Sequence, residues 1–166
     1  MTITLPTGLL EKYYDVCDMF IDNDIIGRNC LLIYPPKRTP CVNCVKPVGT
    51  STTSVYRHGG PQPYAFGNCP LCGGAAFKEV EVTGTMRMRI YWEKSAWVKV
   101  GESTLIDSAE VMTIFHLSDV PKLRRAVEVL LAKDNAEAEY RVTLLGKPYP
   151  HGFSRGRYAL AYFKGA

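Results

Sequence analysis

The sequence predicts a mainly β protein: a small β-barrel or sandwich with an N-terminal helix, a short second helix and a long inserted segment stapled by four cysteines. Three observations predict it. From Val80 to Trp92 apolar residues alternate with polar ones, the period of a strand with one buried face. Shorter β-type runs follow, separated by turn residues, as in small barrels and sandwiches. Residues 37–78, by contrast, are rich in Pro, Gly, Ser and Thr, show no periodic apolar face and carry two Cys-x-x-Cys pairs.

The elements read in order as follows. Leu9, Leu10, Tyr13, Val16, Cys17, Phe20 and Ile21 recur at spacings of three and four, predicting a helix over 7–22 with Thr7 placed to cap it. Cys30 to Tyr34 is an apolar run that Pro35 and Pro36 are expected to end. In the long strand, Val80, Val82, Met86, Met88, Ile90 and Trp92 form the inward face, and Gly84 marks a bulge. Arg87 and Arg89 fall on the solvated face. Trp97 to Val100 continues in strand style, Gly101-Glu102-Ser103 is a turn, and Val111 to Leu117 is another strand. Ser118-Asp119-Val120-Pro121 starts the short helix. Ala126 to Leu131 returns as a strand, Lys133-Asp134-Asn135 turns it into Tyr140–Leu144, Gly146 to Gly156 is a loop, and Tyr158 to Phe163 is the last strand. The whole of 1–166 is expected to be a single domain, with 37–78 as its insertion.

Composition narrows the class. The 166 residues are 46% hydrophobic and 22% charged with a net charge of +4, which suits a globular chain and excludes a disordered one. Nothing is apolar for long enough to span a membrane as a helix, and the N-terminus lacks the pattern of a secretory signal. A reducing compartment is therefore expected, where paired Cys-x-x-Cys motifs bind metal rather than form disulfides.

Cys41-Val42-Asn43-Cys44 and Cys69-Pro70-Leu71-Cys72 are separated by 24 residues. Two residues between thiolates let one tight turn aim both sulfurs at one ion, and two such turns complete a tetrahedral zinc site. Gly73-Gly74 supplies the positive φ that the second turn needs. A rubredoxin-type iron site uses the same ligands. Four thiolates leave no open coordination position, so the site predicted from Cys41, Cys44, Cys69 and Cys72 is structural, with Zn2+ as the ion. His58 reads as an exposed loop residue, Cys17 and Cys30 as buried small hydrophobes, and His116 as a core or interface histidine. No P-loop, GxSxG or HExxH pattern is present, and no catalytic set is predicted.

Ile33-Tyr34-Pro35-Pro36, Pro40–Cys44, Gly59-Gly60-Pro61 and Cys69–Gly73, with Leu117–Ala126 and Pro150–Tyr158, resemble zinc-ribbon-bearing structural proteins of tailed bacteriophages. The plan of a short N-terminal helix, a small barrel and long loops is similar to that of head-closure proteins of the phage neck. That resemblance implies a non-enzymatic virion protein, present in the host cytoplasm during assembly, that forms a homo-oligomeric ring and contacts portal, adaptor or tail proteins. Leu5, Tyr149, Phe153 and Phe163 are the apolar residues expected at such interfaces. Two other readings stand beside it. One is a zinc-ribbon nucleic-acid-binding protein, for which Lys37, Arg38, Lys46, Arg57 and Lys78 supply charge and Tyr56, Tyr64 and Phe66 supply stacking surfaces. The other is a metalloenzyme or electron carrier. The net charge argues for weak, non-specific DNA contact at most.

Overall fold

A computed structural model describes residues 6–47, 54–65, 67–99, 108–132, 139–152 and 156–166. The chain divides into two compact units, Pro36–Val82 and the remainder. The predicted insertion, 37–78, falls wholly within the first of these.

The remainder is built on a closed antiparallel sheet, two of whose strands continue along the chain into Pro36–Val82. Its strands are β1 (Gly27–Pro40), β4 (Phe77–Tyr91), β5 (Val111–His116), β6 (Glu128–Ala132), β7 (Glu139–His151) and β8 (Tyr158–Gly165); β2 (Cys44–Val45) and β3 (Val55–Tyr56) form a separate two-stranded sheet. The order is β1-β4-β5-β8-β7-β6. Closure rests on a short ladder of β1 with β6, from Leu31↔Leu130 to Ile33↔Glu128. Inside lie Cys30, Leu32, Met86, Met88, Phe115, Leu131, Val142 and Phe163, all buried. The alternation read from the sequence holds where β4 belongs to this sheet: Met86 and Met88 are buried and Ile90 and Trp92 pack against them, whereas Val80 is exposed. Gly84 makes room for a close neighbour. A Cβ there would stand 2.8 Å from the Tyr34 ring, so only glycine lets that ring lie flat on the strand.

Helix α1 spans Thr7–Asp22, as the periodicity predicts. Thr7 is not its cap; Pro6 takes that position, and its carbonyl accepts from the Leu9 and Leu10 N–H groups. The buried side is narrower than the apolar stripe. Leu10, Tyr13, Tyr14, Cys17 and Ile21 pack on Tyr158 and Ile114 of the sheet. Cys17 is only half-buried, and Leu9, Val16 and Met19 face solvent. Arg87 and Arg89, read as solvated, instead hold the helix. Arg87 donates to the Ile21 carbonyl at 3.2 Å and to Asp24 at 2.9 Å, and the Arg89 guanidinium stacks on Phe20, 4.4 Å from the ring centre.

Three other expectations change. Pro35 and Pro36 do not end β1, and both lie beyond its ladder to β6. The segment around Trp97 is a short helix, α2 (Lys94–Lys99), not a strand. Trp97 is fully buried against Met112, Leu160 and Tyr162 and donates its Nε1–H to the Tyr91 carbonyl at 3.1 Å, so one anchored ring overrides four residues of strand-like sequence. The predicted loop Gly146–Gly156 is strand as far as His151: β7 shifts register between Leu145 and Tyr149, then resumes pairing with β8 through Tyr149↔Leu160 to His151↔Tyr158. The short helix α3 (Val120–Arg125) forms where predicted. Asp119 makes no cap bond and pairs with Lys122 at 2.6 Å. The turns at 101–103 and 133–135 lie outside the described residues. No helix among those described is long and apolar enough to cross a membrane.

The Thr113 hydroxyl, on β5, is buried with no hydrogen-bond partner among the described residues. A lone buried hydroxyl costs more than it returns. Thr113→Val is expected to stabilise the fold by about 1 kcal/mol, read as a higher urea midpoint with an unchanged slope.

Candidate metal centre

The four cysteines predicted as ligands come together. Their sulfurs all lie within 4.8 Å of one another, with Cys41 Sγ 3.8 Å from Cys69 Sγ and Cys44 Sγ 3.4 Å from Cys72 Sγ. A tetrahedron with metal–sulfur bonds of about 2.3 Å has edges of about 3.8 Å, so the cluster is already near the size of a tetrahedral zinc or iron site. Cys41, Cys44 and Cys69 are buried and Cys72 is partly exposed; no disulfide joins any of them.

Local chemistry shapes each turn. In the first, the Asn43 N–H points back at Cys41 Sγ at 3.4 Å, and the chain leaves through β2, where Val45 pairs with Val55 of β3. No glycine is needed because the exit is extended. In the second, Gly73 and Gly74 both have positive φ, 60° and 92°, as the sequence predicts. Gly73 N–H closes the turn on the Cys69 carbonyl at 2.8 Å, and the Ala76 N–H reaches Cys72 Sγ at 3.3 Å. The Cys41 N–H donates to the Ala76 carbonyl at 2.9 Å and ties the two turns together.

Asn43 is the residue that sequence reasoning passed over. It is fully buried, and its side-chain amide clamps Gln62 in both directions: Nδ2 donates to the Gln62 carbonyl and Oδ1 accepts from its N–H, each at 2.8 Å. Nδ2 also lies 3.4 Å from Cys69 Sγ. One amide therefore links the first turn, the second turn and the intervening loop. The only advance signal was an amide between two cysteines, where a polar residue buried without partners would be costly.

The sulfurs are electrostatically unequal. Burial alone would push Cys69 up, but hydrogen bonds from Asn43, the Leu71 and Cys72 backbone and the Cys44 thiol bring it down to about 6. Cys44 is pushed up to about 12 by burial and by its hydrogen bonds to Cys72, Cys69 and Cys41. Those hydrogen bonds favour the thiolate of Cys69, the form that binds metal.

Tyr64 packs on the cluster, donates to the Ser54 carbonyl at 3.0 Å and meets Tyr56 edge-on, with ring centres 5.9 Å apart. His58 is exposed and is not among the clustered ligands. The interface residues separate. Tyr149 is exposed at 37%, whereas Phe163 is buried inside the sheet, where alternation along β8 turns it inward, and it offers no surface to a partner. Leu5 and Phe153 lie outside the described residues, as does Phe66. His116 sits at the end of β5 beneath α1, half-buried, with Nε2 3.3 Å from Asp22 and Nδ1 3.9 Å from Asp18. It joins helix to sheet.

The fold and site define a mainly β protein with a four-cysteine cluster in a separate small unit. No protein-family model matches the chain, and no curated protein or solved structure is significantly similar to it.

Proposed function

We propose that this chain is a structural protein of a tailed-phage virion, a ring-forming subunit of the head–tail connector, in which one Zn2+ orders residues 36–82 as an interface loop. The observation that supports it most is the make-up of the smaller unit, whose buried residues, among those described, are small while its aliphatics stand outside. The unit Pro36–Val82 buries Cys41, Cys44, Cys69, Asn43 and Ser54, while Val42, Val45, Val55 and Leu71 stand 62%, 41%, 51% and 39% exposed. Val42 and Leu71, from the two cysteine turns, line a groove of about 170 Å³ with Pro40 and Lys78. A segment held by metal that leaves its aliphatics outside is built to meet a neighbour. All four donors are sulfur, and soft thiolates at tetrahedral spacing favour zinc or iron; zinc, with no redox role to fill, is the ion we assign. In this reading the metal is structural, the chain performs no catalysis, and neighbouring copies and other virion proteins are its partners.

The nucleic-acid reading draws on Lys37, Arg38, Lys46, Arg57 and Lys78, all exposed. Against it, Arg38 is paired with Glu79 at 3.0 Å and lies over Phe77, and Tyr56 and Tyr64 are turned inward to Gly60 and Ser54. That leaves four exposed cations to contact phosphate and no stacking surface from Tyr56 or Tyr64. Binding to duplex DNA should fall with a log–log salt slope of roughly 0.9 per phosphate contact and fade at physiological salt. A gel-shift titration is expected to show only that. Submicromolar, sequence-dependent binding at physiological salt would replace the connector reading with the nucleic-acid one.

A further inference from the structure

Helix α1 turns only part of its apolar surface to its own sheet. Leu9, Val16 and Met19 are 54%, 48% and 53% exposed. They lie at i, i+7 and i+10, and exposed Lys12 at i+3 completes a row with the spacing of a heptad seam. That 3-4-3 spacing is the same in both directions. Positions 9 and 19, and positions 12 and 16, are mirrored about residue 14. A second copy running antiparallel therefore sets Met19 against Leu9 and Val16 against Lys12, and each contact occurs twice about a two-fold axis.

Charge follows the same symmetry. In the antiparallel pair Lys12 of one copy comes beside exposed Asp15 of the other, again twice, whereas a parallel pair brings the two Lys12 side chains together. Two further acids of the helix are engaged within the chain. Asp18 accepts from the Tyr158 hydroxyl at 2.6 Å and lies 3.8 Å from Arg157, and Asp22 lies 3.3 Å from His116.

We propose that the outer face of α1 is a self-association surface on which a second copy of this chain packs its own α1 antiparallel. The inference is independent of the connector reading. A 16-residue helix is about 24 Å long, and one such pair falls well short of the roughly 800 Å² per partner of a standard stable interface. The contact is therefore weak between free particles and gains strength where copies are already held together.

The test is a concentration series by sedimentation velocity on the full chain, loaded with zinc. Wild type is expected to double the mass of whatever particle it forms as concentration approaches the millimolar range. Lys12→Glu alone and Asp15→Lys alone each place like charges together twice, and each should abolish the doubling. An equimolar mixture of the two restores both opposite-charge contacts and should recover it. No doubling in wild type, doubling that survives both single substitutions, or a mixture that fails to recover would each overturn the proposal.

Discussion

Replacing Cys69 with serine is expected to release residues 36–82 while the closed sheet keeps its fold. The sheet's core, from Cys30 to Phe163, contains none of the four clustered cysteines, and among the described residues the buried set of the smaller unit is three cysteines, Asn43 and Ser54. A structural zinc contributes on the order of 10 kcal/mol to ordering its domain, far more than that set of small side chains supplies. Hydrogen exchange followed by mass spectrometry is the measurement. Protection should vanish in peptides from 36–82 and persist in β5, β7 and β8. Loss of protection throughout would show that the two units fold as one and that zinc supports the main core.

The second large effect is expected at Asn43. Asn43→Asp keeps the shape of the side chain but turns its donor into an oxygen that faces both the Gln62 carbonyl, at 2.8 Å, and Cys69 Sγ, at 3.4 Å. It also adds negative charge beside thiolates, which pushes their pKa values up and lets protons compete with metal. Residues that orient metal ligands in this way typically change affinity by about 10- to 100-fold. Competition against a chromophoric chelator should show a loss of that size, greater at lower pH. Asn43→Ala is expected to weaken binding as well, because it strands the Gln62 N–H and carbonyl in the loop. An unchanged affinity in both variants would assign the clamp to loop shape alone.

These two residues also mark how far the sequence could be read. Cys69 and its three partners were legible because two ligands per tight turn is a geometric requirement visible in spacing. Asn43 was not, because its role depends on Gln62, 19 residues away, and no local pattern announces such a partner. The same division runs through the fold. The extent of α1 and the inward face of β4 followed from periodicity, which is local. The half of the α1 stripe that is actually covered did not, since that depends on where Tyr158 and Ile114 sit. Trp97 defeated a strand reading because one buried ring decided the backbone around it. Pro35, Pro36 and Gly146 read as chain breakers, yet strands run through all three: the prolines lie beyond the ladder of β1 to β6, and a register shift absorbs the irregularity after Leu145. The interface residues fared worst. Phe163 reads as a terminal aromatic and proves to be core, since residues of β8 alternate into a closed sheet whose closure the sequence does not display.

Native mass spectrometry of the protein as purified tests the central claim most directly, because it counts metal per chain and chains per particle in one spectrum. The account predicts one zinc ion per chain and a closed ring of many copies whose assembly is lost when the metal is chelated. A monomer that carries no stoichiometric metal, with all four thiols free, would contradict it.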